Sequence, residues 1–507
     1  MVGSAHPNGS HAMPESVTQS VSKRIAVIGG GASGLAAAHR LIELSNEGAS
    51  RFDVTLFEAS DKPGGVAGTR KIGDYLVETG ADMFITNQPA AVNLCQRIGL
   101  SDELIPTETE HRGSLVLRKG KPVRVPEGFM LISPAKVWPV LTSPIFSPLG
   151  KLRMGLEYLL PRKKGESDET LASFVKRRFG KEAFDRLIQP LVGGIYTADP
   201  EKLSLKATLP RFIEMERKHR SLIIASRKQA AARESSSEND GSGARYGLFT
   251  APRDGISTLF EKLLATIKAK ADVKLGEEVS AVSATESGRF NITLKSGQQS
   301  DFDGVVVALP TFHAARILGQ GSDEGTINQN KEEITELAGL LRKIEYSSAA
   351  VVVSGHRLAD IEHPLDAFGL VIPAIERRKV LAVSFTSRKF PGRAPEGRIL
   401  LRTFVGGAMQ PEILEQSDEE IRATVLGELK EILGVRGEPD FVEVCWHRNS
   451  MPQYHVGHCE RVARIRELTG KFDGLELAGS GYSGVGIPDC VASGESAAEN
   501  IARQLAD

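Results

Sequence analysis

The sequence holds little cysteine, few large aromatics, no excess of one charge and no long apolar run. Its four cysteines, Cys95, Cys445, Cys459 and Cys490, are scattered over 507 residues. None forms a C-x-x-C pair, and no cysteine–histidine group has zinc spacing. A disulfide scaffold is thereby excluded, and reduced thiols, no metal site and a cytoplasmic setting are expected. A net charge of −1 excludes the strongly basic surface of a nucleic-acid binder. No apolar stretch reaches the length of a transmembrane helix. The nearest, Phe129–Phe146, is interrupted by prolines and Lys136; it reads as helices covering a pocket, with contact to a membrane surface as the less favoured reading. Neither a G-x-S-x-G elbow, nor an H-E-x-x-H pair, nor a recognisable triad is present. No catalytic nucleophile, base or metal ligand is therefore assigned.

What the chain does have is length and glycine. A chain of 507 residues exceeds one ordinary core, so two or three domains are expected. The first 22 residues are polar, lack the apolar stretch of a signal peptide and read as a disordered tail. A buried strand then leads into VIGGGASGL, where Gly29, Gly31 and Gly34 fit G-x-G-x-x-G. A helix over about 32–44 and a strand over 52–58 follow, ending at Glu58. That strand–turn–helix–strand context makes the motif a dinucleotide site. Gly29 permits the tight turn, Gly31 the approach of a pyrophosphate and Gly34 close packing of helix on strand. With Gly30, Ala32, Ser33 and Leu35, these residues surround a helix N-terminus whose free N–H groups favour an anion. Glu58, with Ala59 beside it, can hold ribose hydroxyls.

Further elements read clearly. A helix is expected over 89–98, a hairpin over 115–125 turning at Lys119-Gly120, and a helix over 255–270. Strands are expected between 273 and 309 and again between 347 and 405, with a helix over 418–433. Residues 232–247 are low in complexity and read as a mobile loop. At the C-terminus a second strand–glycine–helix unit appears, LELAGSGYSGVGIPDCVASGES. Gly479, Gly481, Gly484 and Gly486 precede a helix starting near Ile487 and Pro488.

Three features move the reading from NAD to FAD. Gly64-Gly65, followed by Val66, form a second diglycine just beyond the ribose acid. VETGADMF, containing Gly80, Ala81, Asp82 and Met83, resembles the segment that approaches the isoalloxazine in flavoproteins of the amine-oxidase type. The closing unit resembles their return to the cofactor, with the helix N-terminus directed at the flavin pyrimidine. The resemblance implies an α/β fold: a discontinuous Rossmann-like FAD-binding domain (23–90, 247–312 and 441–507) and a mixed-sheet substrate-binding domain (206–246 and 313–440). A helical insertion (91–205) would cover the substrate pocket. It also implies that the backbone of Val279 pairs with adenine and that Trp446 borders the cofactor.

Beyond the cofactor motifs, IQPLVGGIYTADPEKLSLKATLPRF, WHRNSMPQYHVGH and GVGIPDC resemble the flavin-dependent porphyrinogen oxidases of haem biosynthesis, most closely the soluble bacterial branch. The resemblance implies one non-covalent FAD per chain and molecular oxygen as acceptor. It further implies oxidation of coproporphyrinogen III to coproporphyrin III with peroxide release, and transient contact with the iron-inserting chelatase. Gly193, Gly194, Ile195 and Tyr196 would flank the macrocycle, and Arg402 could face the pocket. One departure keeps protoporphyrinogen IX open: the soluble branch often has basic residues where this chain has Thr86-Asn87-Gln88. An amine or polyene oxidase and a non-catalytic porphyrin carrier stay open as well. Two Trp and seven Tyr are limited material for the aromatic cage of an amine oxidase. His455 and His458 lack a third ligand and read as structural.

Overall fold

The computed structural model describes residues 22–48, 51–235, 248–320 and 331–506. All but the last residue of the expected tail, and the expected loop beyond residue 235, lie outside that set.

The run Ile25–Ile28 is apolar on both faces because it is a central strand of a parallel sheet covered on both sides. Five strands form this sheet, in the order Asp272–Leu275, Phe52–Glu58, Lys23–Ile28, Gly304–Val307 and Leu475–Leu477. Segments from the start, middle and end of the chain thus meet in one layer. Ile25 and Val27 face a core built by the helices Ala32–Asn46, Ser257–Lys268 and Ile487–Gln504. Ala26 and Ile28 face the opposite core, built by the strands between Val279 and Phe302 and by helices Thr311–Gln320, Lys331–Arg342 and His458–Thr469. The first and last helices touch closely. A Cβ on Gly494 would lie 2.0 Å from the Ser33 carbonyl oxygen, so glycine sets that approach.

A second, seven-stranded mixed sheet has the order Phe441–Pro452, Tyr346–Arg357, Arg398–Gly406, Ala382–Phe385, Gly369–Val371, Leu115–Arg118 and Lys121–Arg124. Alternation assigns its faces. Val352, Leu401 and Val405 pack under helix Asp418–Leu433. That helix opens with a Ser417–Glu420 capping box and closes at Gly434, φ +68°. Val351, Val353 and Leu400 face Tyr75 and Val77 of the hairpin Thr69–Glu78. Two segments lie in other company than sequence suggested. Phe441–Pro452, expected with the cofactor sheet, forms one edge of this sheet. The hairpin at Lys119-Gly120, expected within the helical insertion, forms the other edge. Alternation announces a strand but not its partner.

The insertion has its own core around Phe174, Phe179, Leu187, Ile188 and Tyr454. Helices Pro210–His219 and Leu222–Ser235, expected in the substrate-binding domain, contribute to that core through Phe212, Leu222 and Ile223. Glu157 and Arg178 are both fully buried in it. The guanidinium donates to the carboxylate, which also accepts from Ser221 Oγ and, at 2.8 Å, from Leu222 N. Phe129–Phe146 is not a pair of helices. It is a tiny hairpin, Phe129–Met130 with Ser133–Pro134, followed by the short helix Trp138–Thr142; its prolines and φ +53° at Leu131 prevent a continuous helix.

Candidate functional site

The first glycine turn lies at the C-terminal end of Lys23–Ile28. Gly29 has φ +110°, and a Cβ there would lie 2.4 Å from the Ala308 carbonyl oxygen. A Cβ on Gly34 would lie 1.8 Å from the Gly29 carbonyl oxygen, so strand and helix meet at van der Waals contact. Gly31 differs: no atom lies within 4 Å of its Cβ position. It caps helix Ala32–Asn46 without any side-chain cap, and its open flank is where an anion can reach the free N–H groups. Leu35 is buried beneath the turn, and Ser33 is nearly so.

The second diglycine closes on this turn. Gly64 N donates to the Gly30 carbonyl at 2.9 Å, and the Gly65 Cβ position lies 3.5 Å from Gly31 Cα. Val66, next in line, is 58% exposed, an apolar side chain beside the cradle with nothing over it. Glu58 anchors the other end. Its Oε2 accepts from Gly30 N at 2.5 Å and its Oε1 from Ser60 N at 2.8 Å, while Ala59 is exposed. The backbone N–H groups of Gly276 and Glu277 donate to the Ser60 and Glu58 carbonyls, bringing the start of strand Val279–Ala284 to the ribose end.

Gly80 packs against the Val66 carbonyl, where a Cβ would lie 1.9 Å away. The segment Gly80–Met83 is thereby tied to the diglycine. Ala81 is exposed and Met83 packs against Ile105, Ala251 and Phe390. Asp82 receives Lys389 Nζ at 2.6 Å and Arg402 Nη1 at 3.0 Å. Despite burial, these two cations hold its carboxyl well below the usual range.

The closing turn joins the same place. Cys490, half-buried and with its thiol pushed up to about 11 by desolvation, is hydrogen-bonded by the Ser33 side chain. Gly486 caps helix Ile487–Gln504; its N–H donates to Asp489 Oδ2 at 3.1 Å, and Ile487 and Pro488 are buried. Burial raises the Asp489 carboxyl, and the Gln88 side chain bonds to it. The backbone at Gly481 runs against Thr311 and Tyr346. Tyr454 OH donates to the Ser480 carbonyl, and His458 Nε2 lies 3.1 Å from the Tyr482 carbonyl. The two rings stack at 4.1 Å. Burial lowers the His458 pKa to about 4, so this neutral histidine supports the glycine turn. No metal-ligand cluster occurs among the described residues.

Gly193 and Gly194 belong to helix Gln189–Tyr196 and line a small cleft with Thr197, Leu381, Gly406 and Met409. Ile195 lies in the same helix. Tyr196 donates weakly to the Thr208 carbonyl at 3.4 Å; its hydroxyl is pushed up to about 12 by burial, with Asp489 adding to the effect. The helix therefore lies between the cleft and the closing turn.

Two expected site residues are placed elsewhere. Arg402 does not face the cleft: it is 2% exposed, paired with Asp82, and donates to the Gly80 carbonyl. Trp446 turns to the other side of its strand, where its indole donates to Asp418 Oδ1 at 2.8 Å under Arg448. Its neighbour His447 takes the inward position, Nε2 lying 2.7 Å from the Thr79 carbonyl. Side chains alternate along a strand, so an error of one residue changes the face. Lys389, Tyr454 and His447 were not singled out by the sequence; only the strand period could have separated His447 from Trp446.

The arrangement fits an extended dinucleotide. The space beside Gly31 and the uncovered Val66 leave the cradle next to Glu58 open to a ligand, and Gln453 Oε1 and Tyr482 OH are buried without a hydrogen-bond partner. Residues 32–502 match the family model for flavin containing amine oxidoreductases. The chain is 34% identical to the coproporphyrinogen III oxidase of Bacillus subtilis (strain 168), covering 95% of this chain and 98% of that one. It is 28% identical to protoporphyrinogen oxidase 2 of Arabidopsis thaliana, covering 95% and 94%. A crystal structure of a protein from Exiguobacterium sp. 255-15 matches with a TM-score of 0.80 and 26% identity, covering 96% and 99%.

Proposed function

The chain belongs to the flavin containing amine oxidoreductase family, and on that premise we propose that it is an FAD-carrying oxidase converting coproporphyrinogen III to coproporphyrin III. The observation that carries the reading is likeness to the Bacillus subtilis coproporphyrinogen III oxidase along nearly the whole of both chains. One non-covalent FAD per chain would lie along the path from Glu58 past Gly31 to the closing turn. Bound there, FAD would supply the hydride acceptor, with molecular oxygen as the proposed terminal acceptor and hydrogen peroxide as its product.

The chain's own residues supply position and field. The N-terminus of helix Ala32–Asn46 would hold the pyrophosphate. Glu58 would accept from ribose hydroxyls in place of Gly30 N. The N-terminus of helix Ile487–Gln504 would face the pyrimidine with its positive end, although Asp489 at its first turn reduces that field. The cleft at Gly193 and Gly194 is the proposed macrocycle site; glycine there lets a flat ring approach the helix backbone. Macrocycle N–H protons can leave by tautomerisation, so no strong base is required of the protein. The product would pass to an iron-inserting chelatase.

Protoporphyrinogen IX is the second reading, favoured by one observation. Thr86 Oγ1 donates to the Leu248 carbonyl and Gln88 bonds to Asp489, so this stretch brings no cation to a propionate. We place the protein in the cytoplasm and propose peripheral contact with an anionic membrane. Leu149 and Leu152 on helix Pro148–Gly155, with Leu156 and Leu159 in the turn that follows, are exposed beside a cleft lined by Arg162, Arg217, Lys218 and Arg220. No described helix is long and apolar enough to cross a membrane. The reading is tested by loading the protein with FAD and supplying coproporphyrinogen III in air. Porphyrin fluorescence should rise with peroxide; flavin-loaded protein that yields neither contradicts it.

A further inference from the structure

Asp82 sits on the segment that packs against the diglycine, through Gly80 and Val66. Two cations meet its single carboxylate. Lys389 Nζ lies at 2.6 Å and Arg402 Nη1 at 3.0 Å, with side chains only 8% and 2% exposed. Arg402 also donates to the Gly80 carbonyl, while its buried Nε has no hydrogen-bond partner. The other groups facing this cluster do not supply a second anion. Glu78 is fully buried on the preceding strand and faces Arg393, itself fully buried, at 3.9 Å. Arg393 is otherwise held by the Arg253 and Pro252 carbonyls. His447, against the Thr79 carbonyl, is driven toward its neutral form by burial. The Asp82 cluster therefore keeps one positive charge more than its carboxylate can balance, in a place shielded from water. Such a charge is costly unless a negative partner arrives.

We infer that Lys389 and Arg402, sharing the one carboxylate of Asp82, hold an uncompensated positive charge beside the cofactor cradle, and that this charge favours uptake of electrons by the bound flavin. The inference rests on the proposed flavin site. Lys389 and Arg402 touch no reacting atom in it and act as positioning residues, through the field they maintain. Reduction adds negative charge to the ring, and a fixed positive charge nearby stabilises it without reorganisation. Arg402, expected from sequence to bind substrate, instead serves the cofactor. The same charge would also favour any anion added at the ring, which gives a readout independent of turnover.

The test uses FAD-loaded protein and sulfite, which adds to oxidised flavin and leaves negative charge on the ring. Removing one charge at a separation of roughly 10 Å, with an effective dielectric of about 20, changes an anion's affinity by about ten- to twentyfold. Lys389→Gln should weaken sulfite binding by about that factor and lower the flavin potential. Lys389→Arg should retain both properties. Asp82→Asn, which leaves both cations unbalanced, should strengthen sulfite binding. If Lys389→Gln and Asp82→Asn both weaken it, or neither changes it, the cluster is only a clamp and the inference fails. Should the variants not fold, the wild-type protein still decides. Its reduced flavin should keep the anionic absorption spectrum down to pH 6, and uptake of the N1 proton near neutrality, as in free flavin, would overturn the inference. Protein that cannot be loaded with FAD at all would remove the flavin site as well, whereas loaded protein with an unaltered ring field removes this inference alone.

Discussion

Glu78→Gln should remove a pH dependence that the wild-type protein carries in its hairpin beside the cofactor segment. Glu78 is fully buried. It accepts from Thr69 Oγ1 at 2.7 Å and from Ile256 N at 3.0 Å. Arg393 at 3.9 Å is too distant for a close ion pair. Burial outweighs these partners and pushes the carboxyl from 4.5 to about 7. A carboxyl raised in the folded state binds its proton more tightly there than in the unfolded chain. Its penalty is absent below the unfolded pKa, grows as pH rises from the unfolded to the folded value, and is complete above the folded one. At about 1.4 kcal/mol per unit, the penalty approaches roughly 3 kcal/mol above pH 7. Glutamine keeps its carbonyl oxygen as acceptor for Ile256 N, can donate its amide N–H to a rotated Thr69 hydroxyl, and carries no charge. Denaturant unfolding at pH 5 and pH 8 should therefore show the variant gaining about 2–3 kcal/mol on wild type at the higher pH. Parallel stability profiles across that range would refute the reasoning, because they would mean that Glu78 is already ionised at pH 5.

Gly31→Val should fold, since its flank is open, but lose FAD; purified variant that stays yellow contradicts the cofactor path. Glu157→Ala leaves the fully buried Arg178 with only Glu216, at 3.4 Å, as an acidic partner, and should cost about 3–5 kcal/mol in unfolding free energy. A cost below about 1 kcal/mol would mean that the pair is solvated. Leu149→Glu with Leu152→Glu should abolish sedimentation with anionic vesicles while leaving flavin content and porphyrinogen turnover unchanged; equal sedimentation by variant and wild type sinks the proposed membrane face.

The parts of the fold that local patterns specify were legible in the sequence. The glycine turn, the strand Phe52–Glu58, the hairpin at Lys119-Gly120 and the helix Asp418–Leu433 all lie at the positions read from the sequence. Long-range pairing was not legible. Nothing in the sequence around Phe441–Pro452 says that its neighbour is Tyr346–Arg357. The same limit governs the site. Gly29, Gly34, Gly64 and Gly486 could be named because their backbone tasks are local. Arg402 could be suspected of binding something, but its partner Asp82 lies in a distant segment of chain. Lys389 carries no local mark at all. Trp446 turns its side chain toward Asp418, on the face that the two-residue period of its strand assigns to it.

The central claim is the substrate, and the most direct measurement compares kcat/KM for coproporphyrinogen III and protoporphyrinogen IX on the same FAD-loaded protein in air, following porphyrin and peroxide together. The account predicts clear preference for coproporphyrinogen III, with peroxide formed in step with porphyrin. Preference for protoporphyrinogen IX would contradict it and make the uncharged Thr86–Gln88 stretch the better guide to specificity.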